Sequence, residues 1–302
     1  MVSKAVVALE PADPVQALGR IPTASTAFSK PEHACEQATP GLSRALRDEH
    51  AQAGDGPDAL LEVDALTKHF GRVFAVEDVT FRVDGGEIVA VVGPNGAGKS
   101  KLLKMIAGLE RPTSGTVRLR GRSVDGLAIH LVRRQGIAIV MQAPRTFPSM
   151  TVLENATLGA MFGLSHGVLS QGAAEERAFE SLAFVGLQKQ AGAPVGNLNL
   201  HQQRFLELAK ALAAQPRLLL LDEVMAGLDE TEIAASVQIV RSVRDKLGMT
   251  IVWVEHVMSA VMELAERVIV LNFGRILAEG APRTVMRDAE VVEAYLGEAH
   301  VA

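Results

Sequence analysis

An α/β fold built on a mostly parallel sheet is predicted by three observations. Short continuous apolar runs recur along the chain, the form taken by strands buried on both faces. They are Ile88–Val92, Ile137–Val140, Leu218–Leu221, Ile251–Val254 and Val268–Leu271. Helix-compatible stretches follow several of them, the pattern of repeated βα units. A glycine-rich loop stands directly after Ile88–Val92 and leads into the helix-compatible stretch Leu102–Gly108.

Composition bounds the rest. The 302 residues suit two average domains or one larger α/β domain with appendages. Hydrophobic residues make up 48% and charged residues 22%, which excludes wholesale disorder. With 30 basic and 35 acidic residues the formal charge is −5, a poor balance for a protein that binds nucleic acid by neutralising phosphates. The single cysteine, Cys35, excludes an internal disulfide framework and a Cys-rich zinc site. One Trp, one Tyr and 4% aromatics leave little for base-stacking platforms. The apolar runs fall far short of the ~20 residues of a spanning helix. Ala5–Leu9, closed by Glu10, is too short for a signal-peptide core. An intracellular globular protein is expected.

Along the chain, residues 1–58 are interrupted by Pro11, Pro14, Pro22, Pro31, Pro40 and Pro57 and read as a disordered extension, with one marginal helix at Leu42–Ala51. Residues 59–299 carry the folded domain. Leu60–Leu66 and Val79–Val83 read as strands, the second closed by the turn Asp84-Gly85-Gly86. Residues 144–197 contain no buried-strand run. There Thr151 and Glu154 form a capping-box pattern that opens one helix, and Ala173–Val185 reads as another. A helical subdomain at about 144–197 is therefore inserted into the α/β core.

Two motifs carry chemistry. Gly93, Pro94, Asn95, Gly96, Ala97, Gly98, Lys99 and Ser100 fit the phosphate-loop pattern G-x-x-x-x-G-K-[ST] between strand and helix. Its glycines let backbone N–H groups wrap phosphate oxygens at a helix N-terminus. Lys99 reaches β- and γ-phosphates in such a loop, and the Ser100 hydroxyl ligates Mg²⁺. The run Leu218–Leu221 ends in Asp222 and Glu223. Asp222 is placed to hold Mg²⁺ through water, and Glu223 to orient or deprotonate an attacking water.

In these motifs and their order, from about Leu60 to Gly297, the sequence resembles the ATP-binding subunits of ABC transporters. The resemblance implies a P-loop NTPase core with a mostly parallel sheet, a small antiparallel β-subdomain and a helical subdomain. It assigns Phe70 to stacking on adenine, with Phe74 as a rival, and Gln142 to the Q-loop glutamine that contacts Mg²⁺ and water. Gly227-Leu228-Asp229 matches the D-loop, with Asp229 at the opposite protomer. His256 matches the switch histidine at the γ-phosphate. The catalytic set is then Glu223, His256, Gln142 and Lys99, with Ser100, Gln142 and Asp222 at the metal. Fragments including Phe70-Gly71, Ala75-Val76, Met150–Asn155, Glu255-His256 and Val291–Glu298 resemble the ATPase subunits of branched-chain amino-acid importers.

Two departures stand out. The family signature Leu-Ser-Gly-Gly-Gln is here Leu198, Asn199, Leu200, His201 and Gln202, followed by a helix at Gln203–Ala213. Asn199 and Gln202 retain hydrogen-bonding groups toward nucleotide. Leu200 and His201 put side chains where the family has glycines, and His201 offers a donor or a positive charge. Lys101 stands where a hydroxyl residue usually meets the α-phosphate; it replaces that contact electrostatically or points to solvent. Val224 replaces a usual proline after Asp222-Glu223.

The resemblance implies MgATP hydrolysis that closes and reopens a head-to-tail pair of cassettes and powers solute import, with branched-chain or related amino acids as cargo. The implied partners are transmembrane permease subunits, a second ATP-binding subunit that the altered signature suggests is a different chain, and a substrate-binding protein, with no nucleic acid. The implied location is peripheral, at the cytoplasmic face of the cell membrane. Two alternatives remain open: a nucleotide-binding regulatory module with impaired turnover, and a non-transport ABC ATPase.

Overall fold

The five continuous apolar runs all become strands, and all five lie in one sheet. Its order is β10-β9-β3-β8-β7-β6, comprising β3 (Ile88–Val92), β6 (Ile137–Val140), β7 (Leu218–Asp222), β8 (Thr250–Val254), β9 (Arg267–Asn272) and β10 (Arg275–Gly280). The first five of these pair in parallel, and β10 returns antiparallel on β9. The computed structural model describes residues 59–163 and 169–296. The extension at 1–58, its helix at Leu42–Ala51 and the final Gly297-Glu298 of the tail fragment lie outside the described residues.

A second sheet is antiparallel, in the order β2-β1-β4-β5, from β1 (Leu61–Phe70), β2 (Val73–Val83), β4 (Ser114–Leu119) and β5 (Arg122–Ser123). The sequence pattern ends the first strand at Leu66 and starts the second at Val79, whereas the hairpin runs on to Phe70 and from Val73. The cause is a series of register shifts in this pair, which break the period-2 alternation on which the pattern depends. The strands β4, β5 and β10 are short and partly exposed, so no continuous apolar run announces them.

Between the sheets lies α1 (Lys99–Ile106). Its Leu102, Leu103, Met105 and Ile106 pack in one cluster with Leu61, Val76 and Val79 of the antiparallel sheet and Val89, Leu220 and Val252 of the parallel one. Buried apolar area on this scale is the main stabilising term. Arg267 also ties the sheets together, donating to both carboxylate oxygens of Glu87 at 2.8 Å and to the Arg82 carbonyl at 2.6 Å.

The other face of the parallel sheet is covered by α5 (Leu200–Ala213) and α6 (Glu230–Leu247). Against α5 pack α3 (Val152–Met161) and α4 (Gln171–Phe184), and all three helices lie between β6 and β7 in sequence. Thr151 accepts from the Glu154 amide at 3.2 Å, and Glu154 accepts from the Thr151 amide at 2.7 Å, so the expected capping box opens α3. Smaller helices α2 (Ile129–Arg134), α7 (Met258–Leu264), α8 (Pro282–Val285) and α9 (Ala289–Leu296) complete the layers. No helix among the described residues is long and apolar enough to cross a membrane.

The contact between α3 and α5 depends on Gly159, where an added Cβ would sit 2.1 Å from the Lys210 carbonyl oxygen. Gly159→Ala must therefore part the two helices. The expected cost is about 1–3 kcal/mol, read as a lowered calorimetric Tm, despite the higher helix propensity of alanine.

Candidate functional site at the carboxyl edge of the parallel sheet

Register brings the predicted residues together. Val91 of β3 and Asp222 of β7 both pair with Val254 of β8, and Leu221 pairs with Val140 of β6. The loops that leave these strands carry Gly93–Ser100, Gln142, Glu223 and His256. All open at the carboxyl edge of the parallel strands, where α/β sheets bind their ligands.

The phosphate loop is fixed by close backbone approach. Gly98 has φ +100°, and a Cβ there would stand 2.2 Å from the Ala75 carbonyl oxygen; at Gly93 it would stand 2.0 Å from that of Leu271. Glycine alone meets both demands. Gly98 caps α1, which begins at Lys99, three residues before the pattern-derived start. The Lys99 side chain is nearly buried, at 5% exposure. Its Nζ donates to the carbonyls of Gly93 at 2.7 Å and Pro94 at 2.8 Å. An ammonium is thus held over the turn, while Asn95 and Gly96 lie exposed at its crest.

The acidic groups are adjacent but differently placed. Asp222 is buried, and its Oδ1 accepts from the Ser100 hydroxyl at 2.8 Å. Burial raises the Asp222 pKa, and the Ser100 hydrogen bond pulls it partly back. Glu223 adopts φ +52°, an uncommon conformation for such a side chain and one that concentrates at functional sites. Its Oε2 accepts from Gln142 Nε2 at 2.7 Å, and its Oε1 lies 2.8 Å from His256 Nε2. One carboxylate is therefore bracketed by an amide from the loop after β6 and an imidazole from the loop after β8. That arrangement can hold a water and take its proton.

Ser100 Oγ, in the first turn of α1, and Asp222 Oδ1, at the end of β7, are adjacent oxygens suited to a hard cation, with Gln142 on the neighbouring loop. No cluster of three or more His, Cys, Asp or Glu side chains shaped for a metal occurs among the described residues. This donor set fits Mg²⁺, which takes few protein ligands and fills its shell with water and substrate phosphates.

Phe70 ends β1 and is half-exposed, at 52%. The ammonium groups of Lys68 and Lys101 each stand 5.0 Å from its ring centroid, close enough for cation–π attraction. Lys101 also pairs with Glu110 at 3.0 Å, so it turns to that carboxylate and to Phe70. Phe74 instead stacks obliquely on His69, with centroids 5.5 Å apart.

The altered signature forms the start of α5. Asn199 Oδ1 accepts from the Gln202 amide at 2.8 Å, and Gln202 Oε1 accepts from the Asn199 amide at 3.0 Å, a reciprocal capping box. The helix thus begins inside the motif at Leu200, ahead of the pattern-derived Gln203. Leu200 projects outward at 56% exposure, whereas His201 is buried at 6%. His201 Nδ1 lies 3.1 Å from Glu232 Oε1, and its ring meets Phe205 edge-on at 4.7 Å. Burial lowers the His201 pKa, and Glu232 only partly offsets this, so the ring is an inward-facing neutral group rather than an outward charge. Asp229 caps α6 by accepting from the Glu232 amide at 2.8 Å. Sequence reasoning missed Glu232, although Asp229-x-x-Glu232 is itself a capping-box pattern. It also missed Arg204, whose burial beside the 224–226 backbone has no local signal.

The chain is similar in sequence and fold to known proteins. The ABC transporter family is matched by residues 76–226. The branched-chain amino acid ATP-binding cassette transporter family is matched by residues 275–301. The high-affinity branched-chain amino acid transport ATP-binding protein BraF of Pseudomonas aeruginosa is 35% identical, over 80% of this chain and 98% of that protein. The protein LivG of Escherichia coli K12, described in the same words, is 36% identical with the same coverage. A solved ADP conformation of an ATP-binding cassette of an ABC transporter superposes with TM-score 0.72 at 27% identity, covering 80% of this chain and 99% of that one. A dimeric post-hydrolysis cassette bound to ADP and Pi gives TM-score 0.67 at 29% identity, covering 74% and 99%.

The depressed pKa of His201 has a consequence for stability. As pH falls through the ordinary value of 6.5, the unfolded chain takes up this proton before the folded one. The stabilisation linked to His201 is therefore present above pH 6.5 and lost as pH drops below it. In nucleotide-free protein, His201→Asn should make the decline of Tm between about pH 7.5 and 5.5 shallower than in the wild type. Parallel Tm curves for the two proteins would show that His201 does not titrate in this way.

Proposed function

The chain belongs to the ABC transporter family as one of its ATP-hydrolysing subunits, and we propose that it powers import of branched-chain or related amino acids through a membrane complex. The observation that carries this reading is the bracketed carboxylate of Glu223, set between Gln142 and His256 beside the Ser100–Asp222 pair. The cargo assignment is supported by the likeness to branched-chain amino-acid transport ATP-binding proteins and by the matched C-terminal segment.

In the proposed reaction the triphosphate lies along the amides of Gly93–Ser100, with adenine on Phe70. Lys99 exchanges its bonds to the Gly93 and Pro94 carbonyls for phosphate oxygens. Ser100, Asp222 and Gln142 would hold Mg²⁺, which supplies charge neutralisation at the β- and γ-phosphates. Glu223 accepts the proton of a water that attacks the γ-phosphorus, the bond to the ADP oxygen breaks, and His256 donates to the transferred group. Preorganised donors at the developing charge supply most of such an acceleration.

The proposed assembly is a head-to-tail pair of cassettes seated on transmembrane permease subunits at the cytoplasmic face, served by a substrate-binding protein. Asp229 and the Asn199–Gln202 turn would face the opposite cassette. Because Asn199 and Gln202 are engaged with each other and Leu200 projects outward, this signature caps a neighbouring site poorly. A different second ATPase subunit with an intact signature completes the pair. A nucleotide-binding module with little turnover is favoured by the same turn, and single-turnover hydrolysis separates the two readings.

In proteoliposomes containing the permease and both ATPase subunits, Lys99→Ala and Glu223→Gln should each lower kcat by about 10²-fold or more, with Glu223→Gln still binding ATP. Unchanged turnover in both variants would remove the proposed mechanism. The change equivalent to Glu223→Gln in the partner subunit should cost less than it does here; equal losses would count against unequal sites.

A further inference from the structure

Two buried side chains of opposite charge grip the loop between β7 and α6 from opposite sides. Arg204, on α5, is 8% exposed, and Glu255, at the end of β8, is 1% exposed. Neither forms a salt bridge among the described residues. Burying either charge without compensation is costly, so the compensation has to come from hydrogen bonds and peptide dipoles. Arg204 Nη1 donates to the Ala226 carbonyl at 2.5 Å and reaches that of Val224 at 3.5 Å. Glu255 Oε2 accepts from the Met225 amide and from Trp253 Nε1, both at 3.2 Å, and its Oε1 accepts from the His256 amide at 3.0 Å.

The Val224 carbonyl and the Met225 N–H belong to one peptide group. Its oxygen faces the guanidinium and its hydrogen faces the carboxylate, so the peptide dipole is aligned between the two charges. Glu255 also binds the amide of His256, and the gripped loop begins at Glu223. The two side chains thus connect α5, the loop after β7 and the loop after β8.

We infer that Arg204 and Glu255 are a positioning pair acting through the 224–226 backbone, which together hold Glu223 and His256 at hydrogen-bond distance. This rests on the roles proposed above for Glu223 and His256. Neither Arg204 nor Glu255 touches the reacting atoms. Their effect falls on the geometry of the groups that do, and small displacements of such groups are costly in rate. Burial raises the Glu255 pKa against the pull of its N–H donors, so keeping a carboxylate here works against folding stability at neutral pH. Val224 and Met225 are the two residues after Glu223, and a loop that starts there has little length over which to absorb misplacement.

The test uses the full chain in the assembled transporter, with Arg204→Met, Glu255→Gln and the double variant. Each single change should lower kcat about tenfold or more while KM for ATP stays within about twofold. Because both act through the one short stretch of backbone that follows Glu223, the double variant should be no slower than the slower single. Backbone hydrogen exchange over 223–229 should quicken in all three. If Arg204→Met fails to assemble, Arg204→Lys keeps the charge without the planar guanidinium whose Nη1 reaches the two carbonyls, and should fall between wild type and Glu255→Gln in kcat. Multiplying losses, a change confined to KM, or unchanged exchange over 223–229 would each overturn the pair. The exchange measurement needs no turnover. Normal hydrolysis by Glu223→Gln would instead remove the proposed role of Glu223, so the two failures are distinguishable.

Discussion

The site depends on one steric constraint, the approach of two strand carbonyls to a loop that can carry no Cβ. Ala75 of β2 and Leu271 of β9 close on Gly98 and Gly93, and the amide of Gly274 donates to the Ala97 carbonyl at 3.1 Å. The phosphate loop is therefore held by backbone from distant parts of the sequence, one part in each sheet. A side chain at either glycine would displace the loop from the strands that fix its height above Asp222. The cluster around α1 makes the approach possible, because burial of Leu102, Leu103 and Ile106 draws both sheets onto the same helix.

What the sequence reveals follows from what can be written locally. Five buried parallel strands declare themselves because burial on both faces needs uninterrupted aliphatic runs. The box at Thr151 and Glu154 declares itself because both halves lie within four residues. The strands β4, β5 and β10 stay hidden, since half-exposed pairing needs no distinctive composition. In the site, the phosphate loop and Asp222-Glu223 are legible from residue type and neighbouring strands. Gln142 and His256 are single polar residues whose convergence on Glu223 is a matter of strand register, and only their order in a family pattern points to them. Arg204, Glu232 and Glu255 are less visible still, because their partners are peptide groups or side chains on other elements.

The departure at the signature becomes intelligible through helix-capping physics. Glycines at a helix start leave amides accessible to a ligand. Here the Asn199–Gln202 box engages two amides internally, and His201 turns inward against Phe205 and Glu232. The first turn of α5 is thereby better capped and better packed than a glycine turn would be. The same choices leave less of it available to another molecule.

Glu232 divides its two oxygens between separate duties. Oε2 accepts from the Asp229 amide at 3.2 Å, while Oε1 meets His201. This shared carboxylate makes the two helix starts mechanically dependent on each other. A His201→Gly change would strip one oxygen of its neighbour and open space beside Phe205, while truncation of Glu232 would remove the reciprocal half of the α6 cap and the carboxylate beside the imidazole at once. One side chain thus couples the packing at the start of α5 to the capping of α6, two helix starts that the sequence separates by about thirty residues.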